Sequence, residues 1–484
     1  MLLRAIYNLD QVNVSSLYRL PPFSYDKNSQ YPGNVIQYLL MQLAKVDTSQ
    51  DRDGYTQQEW LEYKVELFSK IFPLVSKHSN TFTAKDCATS LHRLTIMLTS
   101  DLRHIPSDDP NIGPLITRFH AELRHANAQQ IANSLWAVAK LVEAGKITQV
   151  NEAHLNDLFS QLCVVRGQAN SQNIANGLWA VAKLAEAAKI TQVNEAHVKD
   201  LFAQLHAQHK HLNSQDIANG LWAVAKLVES GQLTHVNADQ INNLLAQLQA
   251  EHRQVSSQIT ANCLWSVAKL VEAGKMTQVN MVDVNGLLTK LYADRLRATP
   301  QGIANGLWTI AKLVEAGQVT QVNATHVHGL LVQLHAKCQH ANPQGIANGL
   351  WAIAKLVEAG QITQVNAFEV NGLLEQLHAE CRQASSRNIT NGLWAIAKLV
   401  EAGQMSQVNI AHVNGLFGQL HAERLQANPQ GIANGLWAIA KLVESGQMVE
   451  VNANYVNDLF SQLHAVRGQA NSQNIANGLW LSPN

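Results

Sequence analysis

The 484-residue chain reads as an all-α protein, a right-handed α-solenoid of stacked two-helix hairpin repeats with a 43-residue period. Three observations predict this. Trp136, Trp179, Trp222, Trp265, Trp308, Trp351, Trp394, Trp437 and Trp480 stand 43 residues apart without one insertion or deletion. A fixed period of about 20 to 50 residues marks a repeat array. The hexapeptide Ile-Ala-Asn-Gly-Leu-Trp occurs six times unchanged and three times lightly edited, so one unit is being reused. Composition is also helix-rich: aromatics are 6%, prolines number 11, and Ala, Leu, Asn, Gln and Val dominate, which disfavours strands.

Taken in order, residues 1–82 read as a helical N-terminal capping region. It holds two helical segments, NVIQYLLMQLAKV and WLEYKVELFSKIFPLV, around the polar stretch DTSQDRDGYTQQE. A solenoid needs such a divergent end to cover its first apolar face. Residues 83–122 form a degenerate repeat, with CATSLHRL from Cys87 in place of IANGLWAV and His92 at the Trp position. Eight complete repeats occupy 123–466. A truncated ninth, 467–484, ends in mid-helix with LSPN.

Within a repeat the local signals are explicit. Asn170 precedes Ser171, and the equivalent pairs Asn342-Pro343 and Asn428-Pro429 place Asn as N-cap and Pro at the first helical position, a strong helix start. The helix runs through IANGLWAVAKLAEA to a left-handed stop that most units supply as glycine (Gly231, Gly274, Gly317, Gly360). Ala188 replaces that glycine in one unit and predicts a weaker cap. Val-Asn then recurs in all eight complete units, as at Val193-Asn194, with Asn capping a second helix and Val placed to staple it. Val198, Leu201, Phe202 and Leu205 give that helix one apolar face.

Unrolled at 100° per residue, the first helix turns Ile174, Leu178, Val181 and Ala185 toward its own second helix. Trp179 falls on one flank and Gly177 on the other, so each Trp is expected in the glycine notch of its neighbour, as Trp222 on Gly177. Ser134 and Cys263 fill two of these notches and predict wider joints. The remaining stripe, Asn176, Ala180, Lys183 and Ala187, is expected to line the inner surface. It gives two ladders, with helices packing about 8–10 Å apart: Asn133, Asn176, Asn219, Asn262, Asn305, Asn348, Asn391 and Asn434, and Lys140, Lys183, Lys226, Lys269, Lys312, Lys355, Lys398 and Lys441. Glu186, three residues after Lys183, makes an ordinary helical surface pair the competing reading. Three residues before each Asn the identity changes: Gln130, Asn173, Asp216, Ile259, Gly302, Gly345, Asn388, Gly431. A constant ladder beside a varying position suits a modular reader. Basic residues gather just before most helix starts, among them Arg124, Arg166, Arg295 and Arg424.

Formal charge is zero and pI about 7.3, so no global field recruits nucleic acid or membrane. No apolar run is long enough to span a bilayer. The five cysteines (Cys87, Cys163, Cys263, Cys338, Cys381) show no CxxC or paired spacing, which fits a reducing compartment. The chain is expected to be a cytoplasmic monomer, or an effector secreted into a host cell by a bacterium.

Signals of chemistry are weak. Nucleotide-loop and metalloprotease motifs are absent. Ser266-Val-Ala-Lys269 matches Ser-x-x-Lys, but sister units carry Ala or Thr at that Ser. The recurring His206, His335, His378, His421 and His464 lie a whole repeat or more apart, too far to share a zinc ion. Around Gly54, Ser49, Asp51 and Asp53 resemble the start of an EF-hand loop, with Glu59 one residue early for the closing ligand. No enzyme activity, cofactor or metal is expected.

The stretch SQNIANGLWAVAKL resembles the first helix of the octotricopeptide repeats, and Pro343-Gln344 and Pro429-Gln430 reproduce the typical Pro-Gln start. The resemblance covers residues 123–480, without a RAP-type C-terminal domain. It implies single-stranded RNA bound along the inner surface, about one base per repeat, with the Asn of each unit and its helix-start residue as the matching positions. The alternative is a scaffold for an extended peptide or partner protein. Asn ladders beside Trp are similar to those of armadillo arrays, which hold a peptide backbone, and neutral charge suits such a partner. A positive inner stripe would favour RNA and a mixed one peptide.

Overall fold

The computed structural model describes residues 56–466, apart from 106–109, 209–211 and 252–254, together with a few helical residues between 36 and 44. Among them there are nineteen α-helices and no strand. Helix α1 (Gln57–His78) precedes the first and second helices of nine successive repeats, in chain order α2 and α3 (Ala84–Thr99, Ile112–Ala121), α4 and α5 (Ala128–Glu143, Glu152–Val164), α6 and α7 (Ser171–Glu186, Glu195–Ala207), α8 and α9 (Ser214–Glu229, Ala238–Ala250), α10 and α11 (Ser257–Glu272, Met281–Ala293), α12 and α13 (Pro300–Glu315, Ala324–Ala336), α14 and α15 (Pro343–Glu358, Ala367–Ala379), α16 and α17 (Ser386–Glu401, Ile410–Ala422) and α18 and α19 (Pro429–Glu444, Ala453–Ala465). Even-numbered helices are the first of each pair and odd-numbered ones the second. Residues 467–484, expected to begin a ninth repeat, and the Ser49–Asp53 stretch lie outside the described residues.

Two compact units divide the chain between Val236 and Asn237. In the N-terminal unit α2, α4, α6 and α8 pack side by side in succession, backed by α3, α5 and α7. In the C-terminal unit α10 to α18 do the same over a layer of α9 to α19. Each unit is thus a stacked helical-hairpin array, the α-solenoid arrangement. The degenerate hairpin α2–α3 stacks like the others, with the His92 ring 5.2 Å from Trp136. Among the described residues no helix is long and apolar enough to cross a membrane.

The caps are where the sequence places them. Asn127 and Asn170 close full capping boxes on Gln130 and Asn173, and Pro300, Pro343 and Pro429 open their helices. Asn151, Asn194 and their equivalents cap the second helices. At the end of the first helices Gly145, Gly231, Gly274, Gly317, Gly360, Gly403 and Gly446 take φ of 65–73°, and Ala188 is held at φ 53°. A Cβ in that region costs roughly 1–2 kcal/mol, so this turn carries strain its sisters lack. Arg166, Arg295 and Arg424 donate to the last carbonyls of the second helices, at Cys163, Tyr292 and His421. The basic residues at these joints therefore act at least partly as C-terminal caps.

Ile174, Leu178, Val181, Val198, Leu201, Phe202 and Leu205 are all buried, as their periodicity requires. The expected seat of the tryptophans is wrong, however. A Cβ on Gly177 would collide with Leu162 of the preceding second helix, and Gly220, Gly306, Gly349, Gly392 and Gly435 face the equivalent leucines. The glycine admits a leucine from the adjoining hairpin, not an indole. Rings do sit on glycines, but in the other layer: Tyr292, His335 and His378 lie against Gly329, Gly372 and Gly415. Ser134 and Cys263, at the first-layer glycine register, are fully buried.

Candidate functional site

The exposed stripe of each first helix is Asn–Trp–Lys, not Asn–Ala–Lys. Ala180 is fully buried between neighbours, whereas Asn176, Trp179 and Lys183, at i, i+3 and i+7, are each half-buried along one edge. The same holds for Asn133, Asn219, Asn262, Asn305, Asn348, Asn391 and Asn434, all half-buried. Trp136, Trp179, Trp222, Trp265, Trp351 and Trp394 thus belong to this surface, whereas Trp308 and Trp437 are buried. Trp179 and Trp222 lie 6.2 Å apart, and Trp394 and Trp437 6.5 Å apart, as tilted neighbours.

The lysine ladder is an ion-pair zipper. Lys183 Nζ lies 3.1 Å from Glu186 of its own helix and 2.9 Å from Glu143 of the preceding one. Lys226 bridges Glu186 and Glu229 at 2.8 and 3.0 Å. In the C-terminal unit Lys312 bridges Glu272 and Glu315, Lys355 bridges Glu315 and Glu358, Lys398 bridges Glu358 and Glu401, and Lys441 bridges Glu401 and Glu444, over 2.8–3.5 Å. Lys140 and Lys269 pair with Glu143 and Glu272 of their own helices. Lys140, Lys183, Lys269, Lys312, Lys355 and Lys398 also sit over the indole of the following repeat, as Lys183 over Trp222 at 4.7 Å and Lys312 over Trp351 at 4.5 Å, a favourable cation–π geometry.

Titration follows from this geometry. Burial works to raise the Glu358 carboxyl, but hydrogen bonds from Lys355 and Lys398 outweigh it and hold the group below the ordinary carboxylate range. Burial likewise works to lower Lys398, and its bonds to Glu401 and Glu358 more than offset that. The stripe presents alternating, compensated charge. Its signal in the sequence was the glutamate at one register of every complete repeat, from Glu143 to Glu444. A reading of Glu186 as a partner within its own helix missed that it also reaches Lys226 of the next, as Glu143, Glu272, Glu315, Glu358 and Glu401 reach theirs.

Above the zipper the C-terminal unit holds a groove of about 540 Å³ lined by Trp351, Trp394, Asn348, Asn391, Asn434 and Arg387 among others. Gln215 and Gln258 donate to the ladder residues Asn219 and Asn262 at 2.8 and 3.0 Å. Among the described residues the side-chain amides of Asn305, Asn348 and Asn391 have no hydrogen-bond partner. They are half-exposed donor–acceptor groups at repeat spacing.

The variable positions lie elsewhere than on open surface. Each is the third residue of its first helix, three after the N-cap. The side-chain oxygens of Gln130 and Asn173 accept from the backbone N–H groups of their caps, Asn127 and Asn170. Asp216 is 3% exposed and accepts a 2.9 Å bond from Ser171 of the preceding repeat. Burial pushes its carboxyl up, against that bond and those from Asn213. Gly302, Gly345 and Gly431 are buried beside their capping side chains, and Ile259 and Asn388 are half-buried at the same turn. Their variation tracks how each cap and joint is closed.

Other candidate groups are occupied structurally. Ser266 is fully buried, and its Oγ donates to the Asn262 carbonyl at 2.8 Å. Glu59 completes a capping box with Thr56. His335, His378 and His421 pack against Phe368, His412 and Tyr455 of the next repeat. Among the described residues no three His, Cys, Asp or Glu side chains converge as metal ligands. Burial pushes the Cys87 and Cys163 thiols up to about 12, which keeps them protonated at neutral pH.

No family model matches the chain, and no curated protein matches it. Among solved structures, a chain titled as a homology model of the full-length AP-3 complex in an intermediate open conformation is similar over 98% of this chain and 85% of that one. Identity is 11% and the TM-score 0.28, a likeness too loose to carry an argument.

Proposed function

We propose that this protein is a non-enzymatic scaffold that binds an extended peptide segment of a partner protein along the Asn–Trp–Lys stripe. One observation carries the reading: every described lysine of the ladder is paired with glutamate. Phosphate-directed binding draws its affinity from cations free to displace counterions, and a lysine held between two carboxylates is poorly suited to that. A peptide backbone asks instead for amides that can donate and accept. Asn305, Asn348 and Asn391 offer both, while the half-exposed tryptophans supply apolar walls for alternate side chains. Single-stranded RNA, the ligand implied by the octotricopeptide resemblance, is the reading this competes with.

Selection of random displayed 12-residue peptides against the whole chain tests it, beside filter binding of a randomised single-stranded RNA pool at two salt concentrations. Peptides should be enriched, and Asn348→Ala with Asn391→Ala should weaken them about 2- to 10-fold per lost amide. RNA should be retained no better than by a neutral helical-repeat control. Salt-sensitive RNA retention without peptide enrichment would overturn the proposal.

A further inference from the structure

The groove of the C-terminal unit contains a departure from the repeat that its own periodicity exposes. Four residues before each ladder Asn stands Gln129, Gln172, Gln215, Gln258, Gln301, Gln344, Gln430 or Gln473, but in one repeat it is Arg387. This register adjoins the ladder, since Gln215 and Gln258 reach forward to bond Asn219 and Asn262. Arg387 is exposed, lines the groove next to Asn391, and has no carboxylate partner among the described residues. The two other cations of the lining, Lys312 and Lys355, are each held by two glutamates. One uncompensated guanidinium therefore stands in an otherwise neutralised groove.

We infer that Arg387 reads a single Asp or Glu side chain of the bound peptide, making this repeat the specificity-determining step of the array. The inference rests on the peptide reading above. A guanidinium presents a planar fork of donors that matches a carboxylate bidentately, and the nearby Asn391 amide can bond the adjoining peptide unit. A polyanionic strand is the poorer fit, because it brings a charge at every step and this groove leaves one cation unpaired.

The test uses the whole chain and the 12-residue display library, with both peptide ends joined to the carrier so that no free terminal carboxylate is present. Wild type should enrich peptides with an acidic residue at one fixed position. Arg387→Gln restores the sister residue and should fold normally by far-UV circular dichroism. It should bind those peptides about 10- to 100-fold more weakly, and changing the acidic residue to its amide should abolish the difference between the two proteins. Arg387→Glu should move the enrichment toward Lys or Arg at that position. Peptides enriched without an acidic preference, or with one that survives Arg387→Gln, overturn the inference while leaving the scaffold reading standing. Enrichment of no peptide at all overturns both, as does RNA retention that falls on Arg387→Gln without any peptide binding.

Discussion

In the layer of first helices, the joint between α12 and α14 and the joint between α14 and α16 are built from the same parts: Lys312 or Lys355, the glutamates on either side, and the next indole. In the layer of second helices no such uniformity exists. His120 stacks on His154 at 3.9 Å and pairs with Asp157, whereas Tyr292 stacks on His326 over Gly329. His378 meets His412 Nδ1 to Nδ1 at 3.0 Å over Gly415, and His421 stacks on Tyr455 and pairs with Asp458. A first-layer lysine such as Lys312 meets Glu272 of the preceding repeat and Trp351 of the following one, so a change there disturbs both its neighbours. A second-layer contact is a private pair, and it tolerates replacement when the partner changes too, Asp opposite histidine or Gly opposite a ring.

The largest effect expected from this contrast comes from filling matched glycines. Gly349→Val forces a branched side chain into Leu334, which is fully buried. It should lose about 1–3 kcal/mol by overpacking. Gly372→Asp instead installs opposite His335 the partner that His120 and His421 already have. It should cost less than about 1 kcal/mol at neutral pH. Any gain requires the protonated imidazole, so it should grow as pH falls and vanish as pH rises. Urea unfolding of both variants at pH 7 and 5.5 measures this; equal losses would erase the distinction between the layers.

A smaller effect is expected from removing one node of the zipper. Lys398→Gln separates Glu358 and Glu401 from a shared cation at 3.1 and 3.0 Å. These pairs are partly exposed, so the loss should be about 0.5–1 kcal/mol and shrink in high salt. Double-mutant cycles with Glu358→Gln and Glu401→Gln should return coupling to both glutamates, the first across the joint and the second within the helix. Coupling confined to Glu401, within the same helix, would show that the zipper does not link repeats.

Acid should separate the layers most gently. Burial, and then the neighbouring His412, hold His378 below its ordinary 6.5. Its contribution is therefore full above 6.5 and lost as pH falls through the lowered folded value. Glu358 and Glu401 lie below their ordinary 4.5, so the zipper's carboxylates persist until pH falls beneath that. Lys398 lies above 10.5, so its share is present below 10.5 and lost as pH rises through the raised value. Between pH 7 and 5 the second layer should weaken while the zipper does not, by well under about 1 kcal/mol once solvent screening is allowed for. Melting curves of His412→Gln should show a flatter dependence over that range; unchanged acid sensitivity would remove the His378–His412 pair as its source.

The sequence by itself determined the period, the hairpin, the caps and the buried faces, because these depend on spacing within one repeat. Asn170 and Asn194 are recognisable as caps from the residues that follow them. Ala188 is recognisable as a strained stop because its sisters are glycine. Which side chains meet across a joint was decided only by the tertiary structure. Trp179 and Gly177 sit on the same helix, and no spacing along the chain says whether indole or Leu162 enters the notch. That is settled by the offset and rotation between successive hairpins. The same offset brings Glu143 to Lys183, turning a ladder of cations into a neutral zipper, and it buries Asp216 against Ser171 where the sequence suggested an open, readable position.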